Sequence, residues 1–166
     1  MESTATRTVV VGHDGSATAD LALEWALDYA SRFAAEVRVI RGWSMSTAPR
    51  PATMTTGYVP PIEDFEAAVV EALDRHVERV AARYDGDVPI SCEAYRGAPA
   101  NGLVEASQDA DLLVVGARGL GGFRGLALGS VSDQCVRHAA CPVVVVRDEH
   151  SADIERSRRL DSGLVE

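Results

Sequence analysis

Short apolar runs alternate along this chain with segments of helical period. Residues 8–13 read TVVVGH, a β-branched run closing on glycine and polar residues, which predicts a buried strand. DGS follows, with Ser16 placed to cap a helix. Leu21, Trp25, Tyr29 and Phe33 then recur every fourth residue beside Ala22, Ala26 and Ala30, predicting one apolar helix face. A second strand is expected over 36–43. A second helix is expected over 62–84, with Phe65, Val69, Leu73, Val77 and Val80 on one side. Residues 88–94 predict the third strand, and GAPANGLVEASQ a short third helix with Pro99 in its first turn. The fourth strand is expected over 111–116, the fourth helix over 130–138 and the fifth strand over 141–147.

Strict alternation of strand and helix implies right-handed crossovers, hence a parallel sheet covered by helices on both faces. Two segments fall outside the pattern. Residues 44–61 are rich in Thr, Ser and Pro and have neither period, so they predict a long loop, of the kind that serves as a lid or stays disordered. Residues 148–166 are polar and charged and predict a tail, flexible or weakly docked as a short helix, after one domain over 1–147.

The 166 residues suit one domain with a core of its own, and 46% hydrophobic content excludes a disordered chain. A net charge of −9 argues against a nucleic-acid groove, which needs a basic stripe, but leaves room for a small anionic ligand held by backbone N–H groups. The apolar runs are too short to span a bilayer, and no apolar signal core precedes the first strand, so the expected location is cytoplasmic, with no membrane partner. Cys92, Cys135 and Cys141 read as reduced, buried small hydrophobes. All sixteen basic residues are arginine; without lysine, Schiff-base chemistry and a lysine grip on phosphate are excluded.

The richest local signal is GARGLGGFRGLALGS, 116–130, which follows the strand run DLLVV. Gly116, Gly119 and Gly129 are spaced G-x-x-G, then nine residues, then G-S. A glycine at a strand exit lets a ligand approach the backbone. Ser130 falls where the fourth helix begins, so its hydroxyl and the N–H groups of Ser130, Val131 and Ser132 would face an anion, aided by the helix dipole. Such a loop holds phosphate without lysine. The P-loop pattern is absent, and GHDGSA after the first strand does not fit the dinucleotide fingerprint. In an open parallel sheet the ligand site lies beyond the carboxyl ends of the strands, where the ends of strands one and four meet.

VVVGHDGS near the start, DLLVVGARGLGGFRGLALGSVSDQCVRHAACPVVVVR near the end and the long loop after strand two closely resemble the universal stress protein family, over roughly Arg7 to Arg147. The complete G-2x-G-9x-G-[ST] signature resembles that of the family's nucleotide-binding branch. The resemblance implies an adenine-nucleotide alpha hydrolase-like fold, a single-domain sheet of order 3-2-1-4-5, and bound ATP with Mg²⁺ carried on its phosphates. It places Asp14, flanked by Gly12, near ribose and adenine, and Gly42 against adenine, where RGW replaces the family's usual residues. It places Gly116 and Gly119 along the ribose and phosphate path, and Gly129, Ser130, Val131 and Ser132 on the phosphates. By charge, Arg118 and Arg124 are either phosphate partners or solvated surface. The family's pairing of two chains at strand five implies a homodimer through Val143–Val146, unless the tail covers that edge.

Other readings of these residues stay open. Asp14 could instead cap the first helix. His13, beside the site, reads as packed rather than ligand-bound; His76 and His138 read as structural, and His150 lies in the tail. No cluster has metal-ligand spacing. The expected function is an ATP-binding stress-response sensor with slow or no hydrolysis. The alternatives are a slow ATP hydrolase built from Asp14, His13 and Arg118, and a dimeric interaction module with a vestigial site. Adenylyl transfer is disfavoured, because GHDGS is neither H-x-G-H nor S-G-G-x-D-S.

Overall fold

The computed structural model describes residues 6–120 and 128–148. Five strands form one parallel sheet in the order β3-β2-β1-β4-β5. They are β1 (Arg7–Gly12), β2 (Ala35–Trp43), β3 (Ile90–Arg96), β4 (Leu112–Gly116) and β5 (Val143–Val146). The helices are α1 (Ala17–Phe33), α2 (Ile62–Ala81), α3 (Pro99–Ala106), continued by a 3-10 turn over Ser107–Asp109, and α4 (Ser130–His138). The expected element order and sheet order are those observed. No helix among the described residues is long and apolar enough to cross a membrane.

Period-two alternation along the central strands divides the core. Val9, Val11, Val37, Val39, Leu112 and Val114 face α1 and α2. Val10, Ile40, Leu113 and Val115 face Leu103 of α3 and Cys135 of α4. Both faces of β1 and β4 are therefore covered, which is why their sequences are continuous apolar runs rather than alternating ones.

The α1 face differs from the expectation. The residues packed on the sheet are Ala19, Ala22, Leu23, Ala26, Leu27 and Ala30. Leu21, Trp25 and Phe33 are 37%, 39% and 48% exposed. Small alanines let α1 lie close to β4; the larger aromatics are turned to its flank, where Trp25 stacks on Tyr29 and Tyr29 meets Phe33 at a tilt of 33°. The α2 stripe, by contrast, is buried as expected at all five positions. Strand β3 begins at Ile90 rather than Val88, because its register is set by β2, whose Val37–Trp43 pair with Ile90–Arg96.

The 44–61 loop is pinned at two places. Ser44 N–H donates to Thr47 Oγ1 at 2.9 Å, and Thr53 Oγ1 donates to Asp64 of α2 at 2.6 Å. Ala48 and Met54 pack on Trp43, Phe65 and Val69 beneath it. The three cysteines are free thiols. Burial pushes the Cys135 thiol up to about 11.

Candidate functional site

A cavity of about 1350 Å³ opens at the carboxyl ends of the strands, between the ends of β1, β2 and β4 and the start of α4. It is lined by all ten positions singled out from the sequence: Gly12, Asp14, Gly42, Gly116, Arg118, Gly119, Gly129, Ser130, Val131 and Ser132. Arg124 and His150 lie outside the described residues, as does the tail beyond Asp148.

The turn after β1 builds one wall. Ser16 caps α1 by accepting the Ala19 N–H at 3.2 Å. Asp14 is therefore not the helix cap; Oδ1 accepts the Ser16 N–H at 3.0 Å, and Oδ2 accepts the Leu120 N–H at 2.9 Å across 106 residues of chain. Burial alone would raise the Asp14 pKa, but the hydrogen bonds from Ser16 and Leu120 outweigh it and hold the carboxyl below its ordinary value. His13 is buried, its backbone N–H donating to the Ile40 carbonyl at 3.0 Å.

The opposite wall is the glycine loop, closed at its base. The Ala117 carbonyl accepts both the Gly129 N–H at 2.7 Å and the Ser132 hydroxyl at 2.9 Å. The Ser132 hydroxyl is thus committed to the loop's own closure. The first intrahelical bond of α4 runs from Asp133 N–H to Gly129. The N–H groups of Ser130, Val131 and Ser132 precede it and find no acceptor among the described residues.

The glycines of the signature divide by cause. A Cβ on Gly116 would press on Thr18 of α1, 3.1 Å from its carbonyl oxygen, and a Cβ on Gly119 would overlap Asp14 Oδ2. Those two are fixed by internal packing. Gly12 and Gly42 likewise admit α3, against Leu103 and Pro99. Gly129 shows no such reason among the described residues: φ is −74°, and the nearest described atom to a Cβ there is at 3.4 Å, an ordinary contact. It occupies an N-cap, where Ser, Thr, Asp or Asn is the usual choice, and it offers no side chain to the N–H groups above it.

The electrostatics favour an anion despite the net charge. Asp14 is engaged by two N–H groups, and Asp133 is paired with Arg137 at 2.9 Å. Arg41 and Arg118 both line the cavity with no carboxylate in ion-pair range among the described residues. Arg118 Nε and Trp43 Nε1 are buried donors without an acceptor among the described residues. Arg41, Trp43, Ser44 and Thr47 were not among the sequence candidates. Trp43, Ser44 and Thr47 follow Gly42 at the exit of strand two, a signal of position; Arg41, just before it, carried none.

The family model described as the universal stress protein family matches residues 5–147. Universal stress protein Rv2005c of Mycobacterium tuberculosis strain H37Rv is 39% identical over 143 residues, 84% of this chain and 45% of that protein. The chain thus spans about 45% of the length of these curated relatives. Among solved structures, a universal stress protein in complex with cAMP superposes with TM-score 0.63 at 29% identity, over 87% of this chain and 98% of that one. UspA from Lactobacillus plantarum gives 0.65 at 25% identity, over 86% and 99%. A universal stress protein from Archaeoglobus fulgidus in complex with dAMP gives 0.58 at 18% identity, over 86% and 98%, a likeness of fold.

Proposed function

The chain belongs to the universal stress protein family, and on that premise we propose that it is an ATP-binding stress-response sensor with slow or no hydrolysis. The observation that carries the reading is the bare N-cap of α4. Among the described residues Gly129 meets no packing or backbone need to be glycine, and nothing there takes the N–H groups of Ser130, Val131 and Ser132, which lie at the positive end of the helix dipole and suit a phosphate. Arg118, which lines the same cavity and whose Nε has no acceptor among the described residues, supplies a charged donor. Asp14, Gly12 and Gly42 then border the ribose and adenine, and Gly116 and Gly119 the path between. The relative solved with cAMP supports an adenine nucleotide as the ligand.

Mg²⁺ fits only as a companion of the nucleotide. No group of three His, Cys, Asp or Glu among the described residues could hold a metal ion, so phosphate oxygens and water would supply its ligands. Both His13 nitrogens and both Asp14 oxygens already hold hydrogen bonds, and Asp133, the other described carboxylate lining the cavity, is paired with Arg137, which supports slow or no hydrolysis. We also propose that 1–147 is the domain, 148–166 a tail, β5 the homodimer contact and the cytoplasm the location.

Gly129→Asp tests the reading without the packing damage that Gly116→Asp would cause. An aspartate at this N-cap fits the backbone and caps α4, so melting temperature should hold or rise slightly. Its carboxylate occupies the anion position, so calorimetric ATP binding should vanish. Unchanged binding in a folded Gly129→Asp protein would refute the site. For the wild type, ATP at a hundred times its Kd should add about 2.7 kcal/mol, roughly 5–10 °C in Tm.

A further inference from the structure

We infer that His13 is a positioning residue for this site: as a neutral hydrogen-bond acceptor it fixes the turn that aims Asp14 at the glycine loop, so nucleotide affinity falls as the pH falls. The inference rests on the nucleotide reading above for its consequence, though not for its geometry. Gly15, at φ +90°, is the pivot of the β1–α1 turn. Its N–H donates to His13 Nδ1 at 3.2 Å. A ring nitrogen that accepts an N–H carries no proton, so the ring proton sits on Nε2 and is donated to Asp20 Oδ1 at 3.0 Å.

Asp20 is itself held. Its Oδ2 accepts from Arg79 of α2 at 3.3 Å, and Arg79 also donates to His76 Nδ1 at 2.7 Å. The His76 ring stands 5.4 Å from the His13 ring. Arg41 reaches toward Gly15 from β2. The groups facing His13 are thus Asp14 and Asp20 on its own segment, His76 and Arg79 on α2, and Arg41 on β2. Burial lowers the His13 pKa below its ordinary value. Asp20 opposes the shift, but Arg79 shares that carboxylate, and His76 adds to the lowering.

Protonating Nδ1 replaces the acceptor with a donor aimed at the Gly15 N–H. Two donors then face each other, and the turn must open. Asp14 is the next residue, and its Oδ2 bond to Leu120 ties the turn to the glycine loop. Both walls of the cavity therefore depend on one unprotonated nitrogen.

The test uses the full chain and two readouts between about pH 5 and pH 8. The first is the Gly15 and Leu120 amide resonances of the nucleotide-free protein, followed with the His13 ring. The second is calorimetric affinity for ATP, corrected at each pH for protonation of its own terminal phosphate. In the wild type both amides should move with the ring, and ATP should bind about tenfold more weakly at the acid end. His13→Asn places a non-titrating acceptor at the Nδ1 position and should abolish the pH step in both readouts. His13→Leu removes the acceptor and should weaken ATP at every pH. The inference is overturned by amides that hold still while the ring titrates, or by a ring that does not titrate in this range. It is also overturned by a pH step that survives in His13→Asn. ATP binding that strengthens on acidification would overturn it too, because the imidazolium would then act as a charge. If ATP binds under no condition, the nucleotide reading fails alone, and the amide titration still decides the role of His13.

Discussion

Asp14 shows how one carboxylate can carry a site that two distant segments share. Its two oxygens hold Ser16 at the start of α1 and Leu120 at the start of the glycine loop. Asp14→Ala should destabilise the fold by about 1–2 kcal/mol at neutral pH, toward the low end for charge-assisted bonds because the site is partly open to water. The sign with pH follows from its lowered pKa. The contribution is complete above the ordinary carboxyl value and is lost as pH falls through the folded value, so the urea midpoints of wild type and variant should converge in acid. A midpoint gap unchanged with pH would mean the carboxylate is not the stabilising group. Spacing in the sequence was enough to find the signature glycines, and the family resemblance to find Asp14. Neither could tell Gly119, pressed by Asp14 Oδ2, from Gly129, which no described residue presses, because that distinction is steric and needs coordinates. Arg41 escaped notice for a related reason: a lone arginine in a strand carries no motif, and only the fold brings it to the cavity.

Helix α1 separates two kinds of apolar periodicity. The aromatic i,i+4 stripe was the more visible in the sequence, yet the alanine and leucine set bears the packing. Leu23→Ala should therefore cost about 2–5 kcal/mol, while Trp25→Ala should cost under about 1 kcal/mol, both measured by chemical denaturation. Equal losses would place the aromatic stripe in the core after all. The two faces were hard to rank beforehand because hydrophobic size favours the aromatics, whereas a close helix–sheet approach favours alanine. Element order and the α2 stripe were readable, since both follow from period alone. Strand ends were less so. Pro89 carries no N–H, and β3 runs on to Arg96 because β2 continues to Trp43 and offers it partners.

For the molecule as a whole, the open question is what meets β5. The Pro142 and Val146 carbonyls are taken by Leu113 and Ala117 of the β4 side, so alternation turns the Val143 and Val145 amide groups to the edge away from β4. Val145→Pro removes an outward donor without breaking the β4 ladder. It should shift a β5-paired dimer to monomer in sedimentation while leaving the melting of the monomer unit intact. A dimer that persists is joined elsewhere, and the flank of α1 with Trp25 and Phe33 is then the surface to probe. The two tryptophans also give the protein an optical property of its own. Trp43 is buried at the cavity wall, and Trp25 is 39% exposed against Tyr29. Their emission should split into a blue-shifted component sheltered from aqueous quenchers and a red-shifted component open to them. Replacing Trp25 by Phe leaves Trp43 as the single tryptophan, at the cavity wall, so the purified chain could report what fills that cavity in a cuvette with no dye attached.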